Sequence, residues 1–377
     1  MAKHPVVVYG ASGYTGMLIM DWLIDQNIPF TAVARSAKRT QEMMAQRVVR
    51  LESATYEIVE AESNVDSLVA AFKGAKVVCG TVGPFATFGL TSVEAALKAG
   101  CHHLDTTGEQ SYMFQARELF GRQYEEAGLL LSPSLAYMYT LSEIAAELAL
   151  ETPGIDQLET VSISRGPRAG SGGISVGSTA SIFEMYRNPQ KFLWDNKLVE
   201  HEKNQPVEVS VPEFLQPIFC LPWGGTSLPI FYERDSRVRY CYSLVGFYDT
   251  TAMRKVVALG HKWEHEFKDL PRQYQDGVLA QIVSATTPSM PPRERTTLNR
   301  SSDIAIGRGQ LADSRAVVNC ITPYITTGAL QTAAAIKLLD GDTRRTGFAS
   351  ACQAFGHRYL LGFLEQRGLA RAHVTSH

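Results

Sequence analysis

The first third of the chain alternates short, continuous apolar runs with amphipathic stretches. Apolar runs bounded by turn residues are typical of buried strands, and apolar positions three to four residues apart are typical of helices. The predicted strands begin with Val6–Val8 and continue at 30–34, 56–61, 76–83, 102–105 and 128–132; the predicted helices between them are 17–25, 66–72, 91–99 and 111–127. Strands that alternate with helices pair in parallel through right-handed crossovers, so we predict an α/β fold with a Rossmann-type doubly wound parallel sheet.

The pattern changes near residue 138, where regular alternation of strand and helix ends. Leu158–Arg165 alternates apolar and polar residues, which is typical of a strand with one solvated face. Further predicted strands are 239–247, 303–306 and 315–320, and predicted helices are 140–150 and 179–187. This part is predicted to be an inserted α+β substrate domain built on a mainly antiparallel sheet.

Two apolar helices, 327–339 and 348–366, are expected to return to the first sheet, and the tail 370–377 is expected to be frayed. The predicted domains are therefore a dinucleotide-binding (Rossmann) domain, a substrate domain and the returning C-terminal helices, at 1–137, 138–323 and 324–377.

Composition narrows the class of protein. The length of 377 residues favours two domains, and the net charge of −2 provides no broad basic surface for nucleic acid. The six cysteines are scattered without a C-x-x-C pair, which is typical of reduced, buried thiols. No apolar run of about 18 residues is present, and the first strand leaves no room for a signal peptide. We expect a cytoplasmic protein with no membrane span.

A glycine-rich turn follows the first strand. Gly10, Gly13 and Gly16 are spaced three apart, and the helix that follows offers free N–H groups and a positive dipole end to phosphates. Gly10 allows the sharp turn, Gly13 allows a diphosphate to approach the backbone, and Gly16 allows close packing of helix on strand. An ordinary glycine-rich turn is the alternative, but the position after the first strand favours a nucleotide site.

The residues after the second predicted strand indicate which dinucleotide binds. NAD-binding folds usually carry Asp or Glu there, about 20 residues after the glycines, to hold the ribose 2′-hydroxyl. This chain has Arg35 and Ser36, with Lys38 and Arg39 close behind. Because a guanidinium can hold a 2′-phosphate by charge-assisted hydrogen bonds, NADP(H) is predicted rather than NAD(H). A solvated charge cluster is the alternative.

Several motifs together resemble the saccharopine dehydrogenase-like NADP-dependent reductases, a group that includes trans-acting enoyl reductases. The motifs that carry the resemblance are Tyr9–Gly16, Gly83–Phe85 with Gly89, Asp105–Glu109, 324–341 and 354–364. The resemblance implies that the loop at 83–85 runs beside the cofactor and that the loop at 105–109 lies near the nicotinamide. From the residue patterns and the resemblance together, the predicted cofactor-binding residues are Gly10, Ser12, Gly13, Tyr14, Thr15, Gly16, Arg35, Ser36, Arg39, Thr81, Val82, Gly83, Pro84, Phe85 and Asp105.

Three residues in these loops have a structural alternative. Phe85 could press on a cofactor ring or fill the core. Asp105 and Glu109 could cap the next helix, which is the commonest use of such residues. Glu109 could instead orient the ribose or donate a proton, and it is a predicted catalytic residue.

A hydride reductase also needs a proton donor near the acceptor atom. A tyrosine phenol can fill this role, and the candidates are Tyr112, Tyr137, Tyr139, Tyr186 and Tyr324. We favour Tyr137 and Tyr139 because they follow the last Rossmann strand.

No metal site is predicted. His261 and His265 are four residues apart, but no cysteine or further histidine lies near them in sequence, so a solvated helix face is the preferred interpretation. The run Cys101–His103 with Asp105 lies in a strand, which sends neighbouring side chains to opposite faces.

The segment 211–232 is rich in apolar and aromatic residues, Trp223 among them, and this indicates an apolar small-molecule pocket. A homodimer interface or ordinary core is the alternative. Arg165, Arg168 and Arg187 are kept as possible anion anchors. The preferred hypothesis is NADPH-dependent reduction of an activated C=C bond in a largely apolar molecule. The alternatives are a C=N (imine) reductase or saccharopine-type amino-acid dehydrogenase, and a non-enzymatic NADP-sensing regulator.

Overall fold

The structure is a computed structural model that describes residues 4–165, 174–201, 205–222 and 227–377. Within these residues the strands are β1 (Val6–Tyr9), β2 (Phe30–Ala34), β3 (Tyr56–Glu60), β4 (Val77–Gly80), β5 (His102–Asp105), β6 (Leu130–Ser132), β7 (Ile155–Arg165), β8 (Lys191–Trp194), β9 (Lys197–Glu200), β10 (Val207–Val209), β11 (Ile218–Leu221), β12 (Tyr240–Phe247), β13 (Arg300–Gly309), β14 (Asp313–Cys320), β15 (Gly347–Phe348) and β16 (Ala370–Ser376).

The helices of the same described residues are α1 (Tyr14–Asp25), α2 (Ala37–Arg47), α3 (Val65–Phe72), α4 (Phe85–Ala99), α5 (Gln110–Glu126), α6 (Tyr137–Leu150), α7 (Val176–Glu184), α8 (Leu228–Tyr232), α9 (Thr250–Lys262), α10 (Arg272–Thr286), α11 (Pro323–Leu339), α12 (Ala351–Phe355) and α13 (His357–Glu365). Short 3-10 turns cover Leu51–Ser53 and Met185–Arg187, and a π-type turn covers Trp263–Phe267.

The chain forms two compact units. The first contains the described residues of Met1–Thr107, Ser111–Thr140 and Tyr324–Gln366, and the second contains those of Gly108–Gln110, Leu141–Pro323 and Arg367–His377. The predicted boundaries at 137/138 and 323/324 stay a prediction. One difference is clear, because residues 367–377 group with the second unit and not with the first.

The first unit is built on a seven-stranded sheet in the order β15-β6-β5-β4-β1-β2-β3. All neighbouring strands in it are parallel. The strand order reverses between β1 and β4, and in such sheets ligands bind beyond the carboxyl ends of the strands at this point. The predicted Rossmann-type doubly wound sheet is therefore confirmed.

Burial explains why these residues form the central strands. Every residue of β1, β2 and β4 is buried, as expected for strands covered by helices on both faces. On α3, the side chain of Asn64 accepts a hydrogen bond from Ser67 N at 2.9 Å and so fixes the start of the helix.

Helix α11 packs against α1 within the first unit. An added Cβ on Gly328 would lie 2.6 Å from the carbonyl oxygen of Leu18 on α1, so the two helices touch backbone to backbone. Trp22 Nε1 donates to the carbonyl of Ile325 at 2.9 Å. The expected single helix at 348–366 is wrong in detail: β15 precedes it, and Gly356, with φ at 85°, separates α12 from α13.

The second unit is built on a nine-stranded mixed sheet. Its main path runs β10-β11-β12-β7-β13-β14-β16, with β8 paired to β12 and β9 to β8. Only β12 and β7 pair in parallel, while the other described neighbours are antiparallel. The predicted α+β architecture on a mainly antiparallel sheet is confirmed.

The expectation of a frayed tail is wrong. Residues 370–376 form β16, which pairs with β14 from Ser314↔Ser376 to Cys320↔Ala370. Backbone hydrogen bonds to β14 hold this segment at the sheet edge. Its sequence therefore needs no run of apolar residues and does not show one.

Much of the apolar segment 211–232 fills the core of the second unit. Val211, Ile218 and Cys220 join a buried cluster with strand residues of β7, β12, β13 and β14. The side chains of α8 are buried as well. These residues are core, so their apolar character does not indicate a pocket; Trp223 lies outside the described residues.

Candidate functional site

The glycine-rich turn joins β1 to α1 as the sequence predicts. Gly10 has φ at 91°, a conformation that L side chains rarely adopt, and its N–H donates to the carbonyl of Val33 at 2.9 Å. Gly13 N donates to the Gly10 carbonyl, also at 2.9 Å, which closes the turn. Ser12 and Thr15 are half-buried on this turn.

The turn tolerates no side chain at two of its glycines. A Cβ on Gly16 would lie 2.5 Å from the Gly10 carbonyl oxygen, and one on Gly10 would lie 2.5 Å from Thr81 Oγ1. The loops that follow β1 and β4 are therefore in direct contact, and Thr81 Oγ1 donates to the carbonyl of Tyr9 at 3.0 Å.

The start of α1 has the character of a phosphate site. Gly13 is its N-cap residue and makes no side-chain cap, and no acidic residue lies in the first turn. Tyr14 at the first helical position is 6% exposed and meets Tyr324 edge-on, with ring centroids 5.0 Å apart. Backbone N–H groups and the helix dipole at such an end favour an anion.

The predicted 2′-phosphate residues follow β2. Arg35 is exposed, and its charge lies close enough to lower the pKa of Tyr9, although burial outweighs it and raises that pKa overall. Ser36 is the N-cap of α2, and its side chain accepts from Arg39 N at 3.3 Å. A cationic side chain and a hydroxyl therefore lie together at the carboxyl end of β2.

The loop after β4 leads directly into α4. Val82, Gly83 and Pro84 are half-buried, the Gly83–Pro84 peptide is cis, and Pro84 is the N-cap residue of α4. Phe85 is 6% exposed and lies against Tyr112, with ring centroids 5.6 Å apart. The core-packing alternative for Phe85 is thus supported by its contacts.

Asp105 braces the loops at the end of β5. Its side chain is fully buried, and its oxygens accept from Tyr112 Oη at 2.7 Å, Thr107 N at 3.0 Å and Ser134 N at 3.2 Å. Tyr112 lies in the next helix, α5, so Asp105 contacts that helix through the phenol, and the helix-cap alternative stays a prediction. A carboxylate held by three donors positions the loop, and contact with a cofactor remains a prediction.

His103 lies beneath the same edge of the sheet. Its Nε2 is 3.0 Å from Ser92 Oγ, and burial lowers its pKa to about 3, so the imidazole is neutral. Its Nδ1 is 3.8 Å from an Asp105 oxygen. Ser92, His103 and Asp105 are each at most 3% exposed, so this group is a buried support.

Glu109 belongs to the second unit. It is 1% exposed, and Ser181 Oγ on α7 donates to its Oε1 at 2.5 Å. Ser181 is half-buried and was not predicted from the sequence. A carboxyl and a hydroxyl joined in this way can hold and pass a proton.

The favoured tyrosines lie in the first turn of α6, which begins at Tyr137, earlier than predicted. Tyr137 is 8% exposed and its N–H donates to Thr327 Oγ1 at 3.1 Å, while Tyr139 is half-buried. Side chains two residues apart on a helix do not share a face, so the two phenols cannot serve one reacting atom together.

The other tyrosines have different surroundings. Tyr112 is bound to Asp105, and Tyr186 Oη donates to the carbonyl of Val256 at 2.7 Å. Tyr324 is half-buried beside Tyr14 at the glycine-rich turn. Tyr324 is therefore the candidate that the structure brings to the predicted cofactor loop.

The candidate anion anchors are engaged within the second unit. Arg187 pairs with Glu184 at 3.1 Å and Asp276 at 2.6 Å, and its side chain is 6% exposed. Arg165 lies over the ring of Tyr248, 4.7 Å from its centroid. Arg168 lies outside the described residues. In the part of the chain that the structure describes, no three His, Cys, Asp or Glu side chains are grouped to hold a metal ion.

Two family models match the chain. One, described as the saccharopine dehydrogenase NADP binding domain, matches residues 6–144. The other, described as a family of unknown function (DUF5938), matches residues 140–377, which is more than half of the chain. The chain belongs to the DUF5938 family.

This DUF5938 protein has curated relatives with similar first domains. It is 30% identical over 136 residues to a lipid droplet localized protein of Caenorhabditis elegans, over 34% of this chain and 32% of the relative. It is 32% identical over 131 residues to a trans-acting enoyl reductase of Mycobacterium tuberculosis, over 33% of this chain and 30% of the relative. The matches span about a third of the length of these relatives.

Among solved structures, the DUF5938 protein is similar to apo saccharopine dehydrogenase (L-Glu forming) from Saccharomyces cerevisiae. The TM-score is 0.61 at 10% identity, over 99% of this chain and 100% of that one, so the likeness concerns the fold alone. The family matches confirm the predicted resemblance and the predicted cofactor, NADP(H). Within the described residues, no helix is both long and apolar enough to cross a membrane.

Proposed function

We propose that this protein is an NADPH-dependent oxidoreductase that reduces an activated C=C bond of a largely apolar small molecule. The observation that carries the proposal is the edge of the parallel sheet, where the glycine-rich turn and Arg35 lie at the carboxyl ends of β1 and β2. The match of residues 6–144 to an NADP binding domain supports the cofactor. The relatives named as trans-acting enoyl reductases support the C=C bond.

The residues of the first unit would hold the dinucleotide. The N–H groups at the start of α1 would bind the pyrophosphate, and Gly10, Gly13 and Gly16 would let it approach the backbone. Arg35 with Ser36 would bind the 2′-phosphate by charge-assisted hydrogen bonds. When bound, NADPH supplies a hydride to the acceptor.

The proton that completes the reduction needs a donor from the protein. We assign this role to Glu109, with Ser181 as the residue that positions its carboxyl group through the 2.5 Å hydrogen bond. Tyr139 is the alternative donor, since it keeps more exposed surface than Tyr137.

The competing reactions make different demands on the chain. A saccharopine-type substrate carries several carboxylates and calls for unpaired arginines, whereas Arg187 is occupied by Glu184 and Asp276. Oxidation of NADPH with an enone or enoyl thioester, and none with imines or saccharopine precursors, would support C=C reduction. The reverse substrate pattern would refute it, and NADPH binding without any turnover would favour a sensing role.

Arg35→Ala tests the cofactor assignment. We expect NADPH affinity to fall about tenfold to hundredfold while NADH affinity changes little, because only NADPH carries the 2′-phosphate. Titration calorimetry with both dinucleotides measures this effect. Arg122→Ala is the matched control, since its side chain is 87% exposed and pairs with Glu126 on α5. Equal NADPH affinity in Arg35→Ala and the wild type would contradict the assignment.

Two further assignments complete the proposal. We place the protein in the cytoplasm because all six cysteines are buried thiols outside any disulfide, which suits a reducing compartment. A homodimer stays a prediction that sedimentation velocity can test. Imaging of a tagged protein at another location would contradict the first assignment.

A further inference from the structure

Glu60 lies where the predicted 2′-phosphate site would be. It is the last residue of β3 and stands opposite Ala34, the last residue of β2, in the parallel register. Its Oε2 accepts a hydrogen bond from Ala37 N, the first residue of α2, at 2.9 Å. The carboxylate of Glu60 therefore already accepts the hydrogen bond of the N–H group of Ala37, which directly follows Arg35 and Ser36 in the chain.

The same N–H group suits a phosphate. The first N–H groups of a helix and the positive end of its dipole attract anions, and a neighbouring guanidinium strengthens this attraction. The Ser36 side chain already accepts from Arg39 N, so the carboxylate and the hydroxyl together engage two donors of the first turn. An arriving phosphate must displace the Glu60 carboxylate or lie next to it.

We propose that Glu60 sets the cofactor preference of this protein by opposing the 2′-phosphate of NADP(H). The inference rests on the proposed function, because it assumes that the dinucleotide binds at this edge. A carboxylate beside a phosphate dianion raises the free energy of the NADPH complex by Coulomb repulsion, whereas NADH lacks that phosphate. The ratio of NADPH affinity to NADH affinity is thus smaller than it would be with Arg35 present and the Glu60 charge absent.

The test compares Glu60→Gln with the wild type. Glutamine keeps an oxygen that can accept from Ala37 N but removes the charge. We expect NADPH to bind about threefold to tenfold more tightly at low ionic strength, with NADH binding no more tightly. Raising the salt concentration shrinks the gain, since Glu60 is exposed and its field is screened.

Glu62→Gln is the matched control, because Glu62 is an exposed carboxylate two residues further along the chain. Unchanged or weaker NADPH binding in Glu60→Gln would overturn the inference, and so would an equal gain in both variants. A wild-type protein that binds neither dinucleotide would instead refute the proposed function. NADPH binding that depends on Arg35 but not on Glu60 would leave the proposed function standing and remove the inference alone.

Discussion

Asp303 shows what burial does to a single carboxyl group. It lies on β13 with no exposed surface, and Ser142 Oγ donates to it at 3.1 Å. Burial raises its pKa to about 7 although hydrogen bonds from serine hydroxyls oppose the shift. In the unfolded chain an aspartate releases its proton near pH 4, so the folded state holds this proton over a higher pH range.

The pH dependence of stability follows from that shift. The folded state binds more protons than the unfolded state between about pH 4 and pH 7, so its stability falls as the pH rises through this range. The loss is on the order of 4 kcal/mol for a shift of this size. We expect Asp303→Asn to flatten the profile of unfolding free energy against pH, as measured by chemical denaturation.

Asp313→Asn is the control for this experiment because Asp313 is exposed on β14. Asp313→Asn should leave the slope of unfolding free energy against pH unchanged. A wild-type stability that does not decrease over this pH range would contradict the assignment of the titration to Asp303.

Glu109 and Ser181 give a second prediction at the scale of single residues. If Glu109 donates the proton, Glu109→Gln should lower kcat about a hundredfold or more and remove the limb of the pH–rate profile that the acid controls. Ser181→Ala should shift that limb while retaining activity, because it changes only the surroundings of the carboxyl group. Glu118→Gln, an exposed change on α5, should match the wild type.

Steady-state kinetics against pH measure both effects. Glu109→Gln with full activity and an unchanged profile would exclude Glu109 as the donor, and a loss that appears only in Tyr139→Phe would assign the role to Tyr139.

Sequence reasoning at this scale succeeds where a role depends on neighbours in the chain. The glycines of the turn and Arg35 at the end of β2 are of this kind. It fails where the partner is distant: Asp105 is held by Tyr112 and Ser134, and Ser181 reaches Glu109 across 72 positions. No spacing in the sequence reports such contacts.

At the scale of elements, most predicted strands and helices are present; the errors are shifted starts, the split helix at 348–366 and unpredicted elements such as α2 and β16. The helix predicted at 91–99 begins earlier, at Phe85, and includes Gly89. Gly89 is required in the helix, since an added Cβ would lie 2.3 Å from the Tyr112 ring. Packing between α4 and α5 thus overrides the low helix propensity of glycine.

The contact between α11 and α1 yields a prediction about stability. Gly328→Ala would push α11 away from α1, since the added Cβ meets the Leu18 carbonyl oxygen at 2.6 Å. We expect a loss of about 1–3 kcal/mol in the free energy of unfolding. Gly362→Ala on α13 meets nothing within 4 Å and should stabilise the protein by about 0.5–1 kcal/mol. Thermal unfolding of both variants measures the difference, and equal stability would contradict close packing at Gly328.

At the scale of the whole molecule, the sequence predicts two architectures but not the path of the chain between them. Residues 108–110 and 367–377 group with the second unit although each follows a segment of the first. From the sequence, the whole segment 324–377 is expected to return to the first sheet. The last strand departs from this expectation because its backbone pairs along the whole of β14.

Removal of β16 is the prediction that belongs to this scale. Deleting residues 370–377 would expose the backbone donors and acceptors of β14, which carries the buried Val317 and Val318. We expect a lower thermal midpoint and concentration-dependent aggregation, measured by calorimetry and light scattering. Replacing Thr375 and Ser376 by alanine keeps the backbone pairing and should change little. A truncated protein as stable and as monodisperse as the full chain would contradict a structural role for β16.

Each unit is built from separate segments of the chain, and this has a consequence for biosynthesis. The parallel sheet gains its seventh strand and the cover of α11 only from residues beyond 322, and the mixed sheet closes with residues 370–376. A ribosome that has released the first 140 residues has therefore not yet supplied either unit with all its parts. A premature stop codon before residue 323 would leave both units incomplete, since the first unit needs α11 and β15 and the second needs β16.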